Sequence, residues 1–166
     1  MGAYYDSMES AKPEQEHLFL KKLLGTWTYE SESIMGPDQP PMKASGKETF
    51  RSLGDLWFIG ESQGTMFDKE PVTMIITIGY DPESKKYVGT WIGSMMTVLW
   101  VYSGFVEGNT LNLDAEGPSM AGDGKTAKYR DSVEFVDDDH RVMRSQMLHE
   151  DGKNPVFMTA RYTRVK

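Results

Sequence analysis

Residues 17–30, HLFLKKLLGTWTYE, contain the change of period that decides the fold. Before Gly25 the apolar residues Leu20, Leu23 and Leu24 recur at helical spacing, and from Thr26 onward bulky and polar residues alternate as they do on a strand. Pro13 stands where a first helical turn tolerates proline, so PEQEHLFLKKLL reads as one short amphipathic helix. Beyond Gly25 no helical period returns. Segments rich in β-formers follow at 26–34, 44–53, 56–65, 72–79, 86–92, 96–106, 110–114, 126–135, 142–148 and 156–164. Turn-rich connections such as GPDQPP, YDPESKK, EGPSMAGDGK and HEDGKNP separate them.

About ten consecutive strands and one helix make an all-β chain. Such a chain either stacks its strands as a sandwich or closes them into an antiparallel barrel, and closure removes the exposed edges. In MTVLWVYSGF (96–105), Met96, Val98, Trp100 and Tyr102 share one side while Leu99, Val101 and Phe105 share the other. One of these faces is expected to line an interior. The other is expected to pack on the helix or on a second subunit, because a large apolar patch seldom lacks a partner.

The chain of 166 residues suits one domain, expected over 13–166, with residues 1–12 as a flexible tail. Twenty-five acidic against 18 basic residues give a net charge of −7, which repels phosphate backbones and anionic headgroups. Nucleic acid and membrane surfaces are therefore not expected as partners. The absence of cysteine excludes disulfides, thiolate metal sites and cysteine nucleophiles. The N-terminus has neither a basic region nor an apolar run, and Asp6 stands where a myristoylation motif at Gly2 needs Ser or Thr. These features favour a cytoplasmic protein.

The helix running straight into Gly25-Thr26-Trp27 is similar to the entry of a calycin barrel, where a Gly-x-Trp opens the first strand. Further along, TIGYDPESKKYVGTWIGSM (77–95), VDDDHRVMRSQMLHEDGK (136–153) and ARYTR (160–164) resemble, in order, the uncharacterised bacterial family called domain of unknown function 1579. The resemblance implies a lipocalin-like barrel of about ten strands, in the superfamily of lipocalins, fatty-acid-binding proteins and haem-binding nitrobindins. It implies no activity. Members often carry an acidic residue where this chain has Gly93, so any site using that carboxylate is altered here.

On the last strand Met158, Ala160, Tyr162 and Arg164 alternate onto one face. Arg164 then lies at the barrel end, where it either covers Trp27, as a basic side chain does in lipocalins, or joins Tyr162 in a carboxylate clamp of the fatty-acid-binding kind. The aromatic set of Tyr29, Trp57, Trp91, Trp100 and Tyr102 either fills the core or walls a cavity for a flat, apolar ligand. Glu48 and Glu61 alternate with large apolar residues. Turned inward they would be carboxyls suited to acid–base work, and otherwise they are solvated or paired with an inner arginine. Gln63 continues the Glu61 face.

His17, His140 and His149 lie in the helix and in turns rather than mid-strand on an apolar face, so neither haem nor zinc is expected. Asp137, Asp138 and Asp139 lack the spacing of a calcium loop. No cofactor is expected. The leading expectation is a non-enzymatic barrel that binds a small, largely apolar molecule through Tyr29, Trp57, Glu61, Trp91, Trp100, Tyr162 and Arg164. Two alternatives remain: a cofactor-independent isomerase, lyase or hydrolase with an interior Glu as general base, or a solid barrel acting through a homodimer surface.

Overall fold

The helical segment begins later than Pro13 suggests. In the computed structural model, which describes residues 10–66 and 70–166, helix α1 spans Gln15–Phe19 and tightens into a 3-10 turn at Leu20–Leu23. Pro13 thus precedes the cap residue Glu14, whose N–H donates to His17 Nδ1 at 2.9 Å. Residues 1–9, which include Gly2, Asp6 and most of the expected tail, lie outside the described residues.

Ten strands follow: β1 Gly25–Ser33, β2 Met42–Leu53, β3 Trp57–Met66, β4 Glu70–Asp81, β5 Lys86–Gly93, β6 Trp100–Glu107, β7 Thr110–Pro118, β8 Thr126–Asp137, β9 His140–Leu148 and β10 Val156–Arg164. Each is antiparallel to the next. The last, β10, returns to β1 with Tyr29 opposite Tyr162 and closes the barrel. Closure leaves no unpaired edge along the sheet.

The strand expected from residue 96 begins only at Trp100, because 94–99 forms a connection whose Met95 and Met96 turn to the barrel's mouth. Strand β7 runs four residues past the expected 114, its end Gly117–Pro118 pairing with Thr126–Ala127 of β8.

The helical segment plugs one end of the barrel. Leu20 and Leu23 are fully buried against Phe50, Phe58, Ile78, Tyr87 and Phe135, and the Trp27 indole N–H donates to the Leu23 carbonyl at 2.9 Å. Leu99, Val101 and Phe105 therefore stay exposed, so of the two covers expected for that face, the helix or a second subunit, the helix is not the one. An end-on plug buries two leucines without spanning the outer wall.

Gly25 sits at φ +110°, a backbone conformation that a side chain disfavours. A Cβ there would collide with the Arg164 guanidinium, which donates to the Leu24 carbonyl and, at 3.1 Å, to that of Lys22. The Gly-x-Trp entry is thus a joint where plug, first strand and last strand meet.

Candidate functional site

Side chains alternate along each strand, so every strand sends one row of residues inward. Near the plug these rows are large and apolar and fill the interior. Toward the opposite end they leave a cavity of about 410 Å³. Its lining runs to the strand ends remote from the helix, where Met95, Met96 and Met120 are exposed.

The walls are apolar. Trp91 and Trp100 face the cavity, and Trp100 meets Tyr129 edge-on at 5.4 Å between ring centroids. The Trp100 indole N–H points at Met96 Sδ, 3.2 Å away, and the Tyr129 hydroxyl donates to the Pro118 carbonyl at 2.6 Å. Eight of the chain's twelve methionines line the cavity. Their unbranched, polarizable side chains can repack around occupants of different shape.

The inner face of β3 shows why such large rings fit. It carries Gly60, Ser62 and Gly64, and a Cβ on Gly60 would strike the Phe50 ring, one on Gly64 the Tyr29 hydroxyl. Gly117 lies likewise beneath Trp100, and the place of a Gly93 side chain is taken by Trp91 and Met95. Small residues on one strand make room for rings from its neighbours.

The floor holds two polar groups of different character. In the first, Glu48 and Arg141 form a buried ion pair, and Ser62 donates to Glu48 Oε2 at 2.9 Å. The Arg141 guanidinium also stacks on Tyr162, 3.9 Å from its ring centroid, and on Trp27 at 4.7 Å. Its Nε has no partner among the described residues, and neither has the buried Tyr29 hydroxyl. Burial and then the nearby Glu48 charge raise the Tyr29 pKa.

In the second group, Asp131 accepts from the Tyr102 hydroxyl at 2.5 Å and from Ser145 Oγ at 2.6 Å. No ion pair involves it among the described residues. Burial raises the Asp131 pKa above the usual carboxylate range, although the hydrogen bonds from Ser145 and Tyr102 act to lower it. Tyr102 is pushed well above its ordinary value by burial first and by the Asp131 charge second. A carboxyl so placed can accept a hydrogen bond or hold a proton at the edge of an apolar space.

Of the residues singled out from sequence, Tyr29, Trp91, Trp100, Tyr102 and Tyr162 come together around this cavity. Trp57, Glu61 and Arg164 do not line it. Trp57 and Glu61 lie on the outer face of β3, with Gln63, because Phe58 and the small residues alternating with them occupy the inner one. The exposed Trp57 ring instead covers Gly79 on β4. Arg164 caps the plugged end, its guanidinium carbon 4.2 Å from the Trp27 ring centroid and its Nε donating to the Asp138 carbonyl at 2.8 Å. That geometry is the structural cover of Trp27 and separates Arg164 from Tyr162. Glu48 does face inward, but in the pairing with an arginine.

Sequence reasoning passed over Arg141 and Asp131. Both carried a signal: each alternates with bulky or apolar residues, Arg141 with Met143 and Asp131 with Tyr129 and Val133. His17 is buried in the plug, its Nε2–H donating to the Tyr80 carbonyl at 3.1 Å. Among the described residues no three His, Asp or Glu side chains converge as metal ligands, and no helix is long and apolar enough to cross a membrane.

The family described as "Protein of unknown function (DUF1579)" matches residues 12–164. Among curated proteins none matches in sequence. Among solved structures, Rv2717c from M. tuberculosis is similar at 15% identity and a TM-score of 0.62, covering 93% of this chain and 100% of that one. The S-type phycobiliprotein lyase CPES from Guillardia theta is similar at 12% identity and 0.60, covering 93% and 99%. At such identities the likeness is one of fold.

Proposed function

The chain belongs to the DUF1579 family, whose function is unknown, and from its interior we propose that it is a binding protein for one small, largely apolar molecule held inside the barrel. The observation that carries this reading is the cavity itself. Its roughly 410 Å³ lies within the range of small-molecule sites, about 300 to 1,000 Å³, and its walls are aromatic rings and thioethers. A barrel whose rings merely completed the core would leave no such space at native packing density.

The indoles of Trp91 and Trp100 supply flat contact area, the methionines adapt to the occupant's outline, and Tyr29 and Tyr162 stand at the floor. Glu48 is held by Arg141 and Ser62, so it is not free to serve as a general base. The cytoplasm is the setting this reading assigns to the protein.

Native mass spectrometry of protein purified from its own cells, followed by denaturation, is expected to release one bound molecule. The emptied protein is expected to take up Nile red, a neutral apolar dye, saturably and one to one. If nothing is released and the dye does not bind, the interior is no binding site.

A further inference from the structure

Beyond the reading of a generic apolar site, and resting on it, we propose that the ligand is a lipophilic organic cation, a flat apolar body with a protonated amine that sits on Asp131. The argument is one of charge and of hydrogen-bond direction.

Among the described residues, no lysine, arginine or histidine lines the cavity. Two carboxyl groups among the described residues do, Glu48 and Asp131, and of these Glu48 has its counter-ion in Arg141 while Asp131 has none among the described residues. The floor therefore carries one carboxyl with no counter-ion among the described residues, in a protein whose net charge is already −7. Burying a carboxylate without a cation is costly, and an incoming ammonium removes that cost while gaining a charge-assisted hydrogen bond.

The polar hydrogens of the floor point the same way. Ser62 spends its hydroxyl proton on Glu48, and Ser145 and Tyr102 spend theirs on Asp131. What these groups still offer is lone pairs. An ammonium is a donor only and matches the lone pairs around Asp131, whereas a carboxylate ligand placed there would meet acceptors, the floor's remaining donors among the described residues being confined to the Tyr29 and Tyr162 hydroxyls elsewhere on it. The indoles of Trp91 and Trp100 in the lining add a further preference for a cation over an anion of the same shape. The site is thus opposite in sign to an arginine clamp for fatty acids.

Three probes with one body separate the possibilities at neutral pH: 1-naphthylmethylamine, 1-naphthalenemethanol and 1-naphthoic acid, each followed by quenching of tryptophan fluorescence in the emptied protein. The amine is expected to bind about tenfold or more tighter than the alcohol, in keeping with a hydrogen bond to a charged group, and the acid weakest of all. In Asp131→Asn the amine's advantage is expected to collapse to within about threefold, with the alcohol's affinity little changed. Glu61→Gln, on the outer face, is expected to alter none of the three.

If the alcohol binds but the amine has no advantage, or the acid binds as well as the amine, the cation assignment is wrong while the cavity reading stands. If the advantage survives in Asp131→Asn, the anchor is not Asp131 and the proposal falls. If none of the three binds and Nile red also fails, both readings fall together. The wild-type comparison decides the question even if the variant does not fold.

Discussion

Arg141 shows how one side chain can join the closed and open halves of the interior. Its guanidinium pairs with Glu48, which lines the cavity, while lying against Tyr162 and Trp27, so it stands behind the cavity floor and packs the plugged end at once. Removing one partner of such a pair strands the other charge. Arg141→Met is expected to cost about 3 to 5 kcal/mol in urea unfolding, and Glu48→Leu added to it to recover most of that loss. A double variant as unstable as the single one would show that the stacking, not the charge pair, carries the stability.

The second floor residue gives a prediction in pH. The Asp131 pKa is raised in the folded protein above its ordinary 3.8, so folding favours the protonated form. The stability this contributes is complete below 3.8 and is lost as pH rises through the raised folded value. Asparagine does not titrate. The stability of Asp131→Asn relative to wild type is therefore expected to grow as pH rises from the ordinary carboxyl range to neutrality, by thermal unfolding across a pH series. A difference that is flat, or that shrinks with rising pH, would remove the buried charge as its cause.

At the scale of elements, nearly all strands were legible from the sequence because alternation is a local signal and the turns between them are rich in Gly, Asp and Pro. Two boundaries moved for reasons that are not local. Residues 96–99 are apolar enough to read as strand, yet they form a connection whose Met96 turns to the mouth of the barrel, and the EGP at 116–118 reads as a turn but is held in the ladder by β8. Facing was harder than existence. On β3 the larger residues Trp57, Ile59 and Glu61 suggested the inner row, whereas the inner row is Phe58, Gly60, Ser62 and Gly64. Which row turns inward is set by the Phe50 and Tyr29 rings that cross those glycines, and nothing in β3 itself announces them.

The plug is the one element that owes little to its own propensity, since a five-residue helix with a 3-10 turn is too short to be stable alone. Its stability comes from Leu20 and Leu23 in the barrel end. Leu20→Ala is expected to lower stability by about 2 to 5 kcal/mol, as for other fully buried leucines. The same variant leaves the cavity walls untouched, so Nile red affinity at a temperature where the protein remains folded is expected to stay within about threefold. A large loss of affinity would mean that the plug and the cavity are coupled.

For the whole molecule, the two ends of the barrel divide the work. One end is filled by the plug, the Phe and Leu rows and the Arg164 joint; the other is left open among thioethers and indoles. Filling the open half would gain contacts that the present sequence forgoes. Ala115, on β7 at the cavity wall, is a position where this can be measured. Ala115→Leu puts added methylenes into empty space and is expected to raise stability by about 1 kcal/mol. The same side chain takes volume from the ligand, so Nile red and 1-naphthylmethylamine are both expected to lose at least about tenfold in affinity. The two effects must move in opposite directions if the void is kept for a ligand. Higher stability with unchanged binding would place the ligand elsewhere on the protein, and lower stability would mean that the interior has no room to fill.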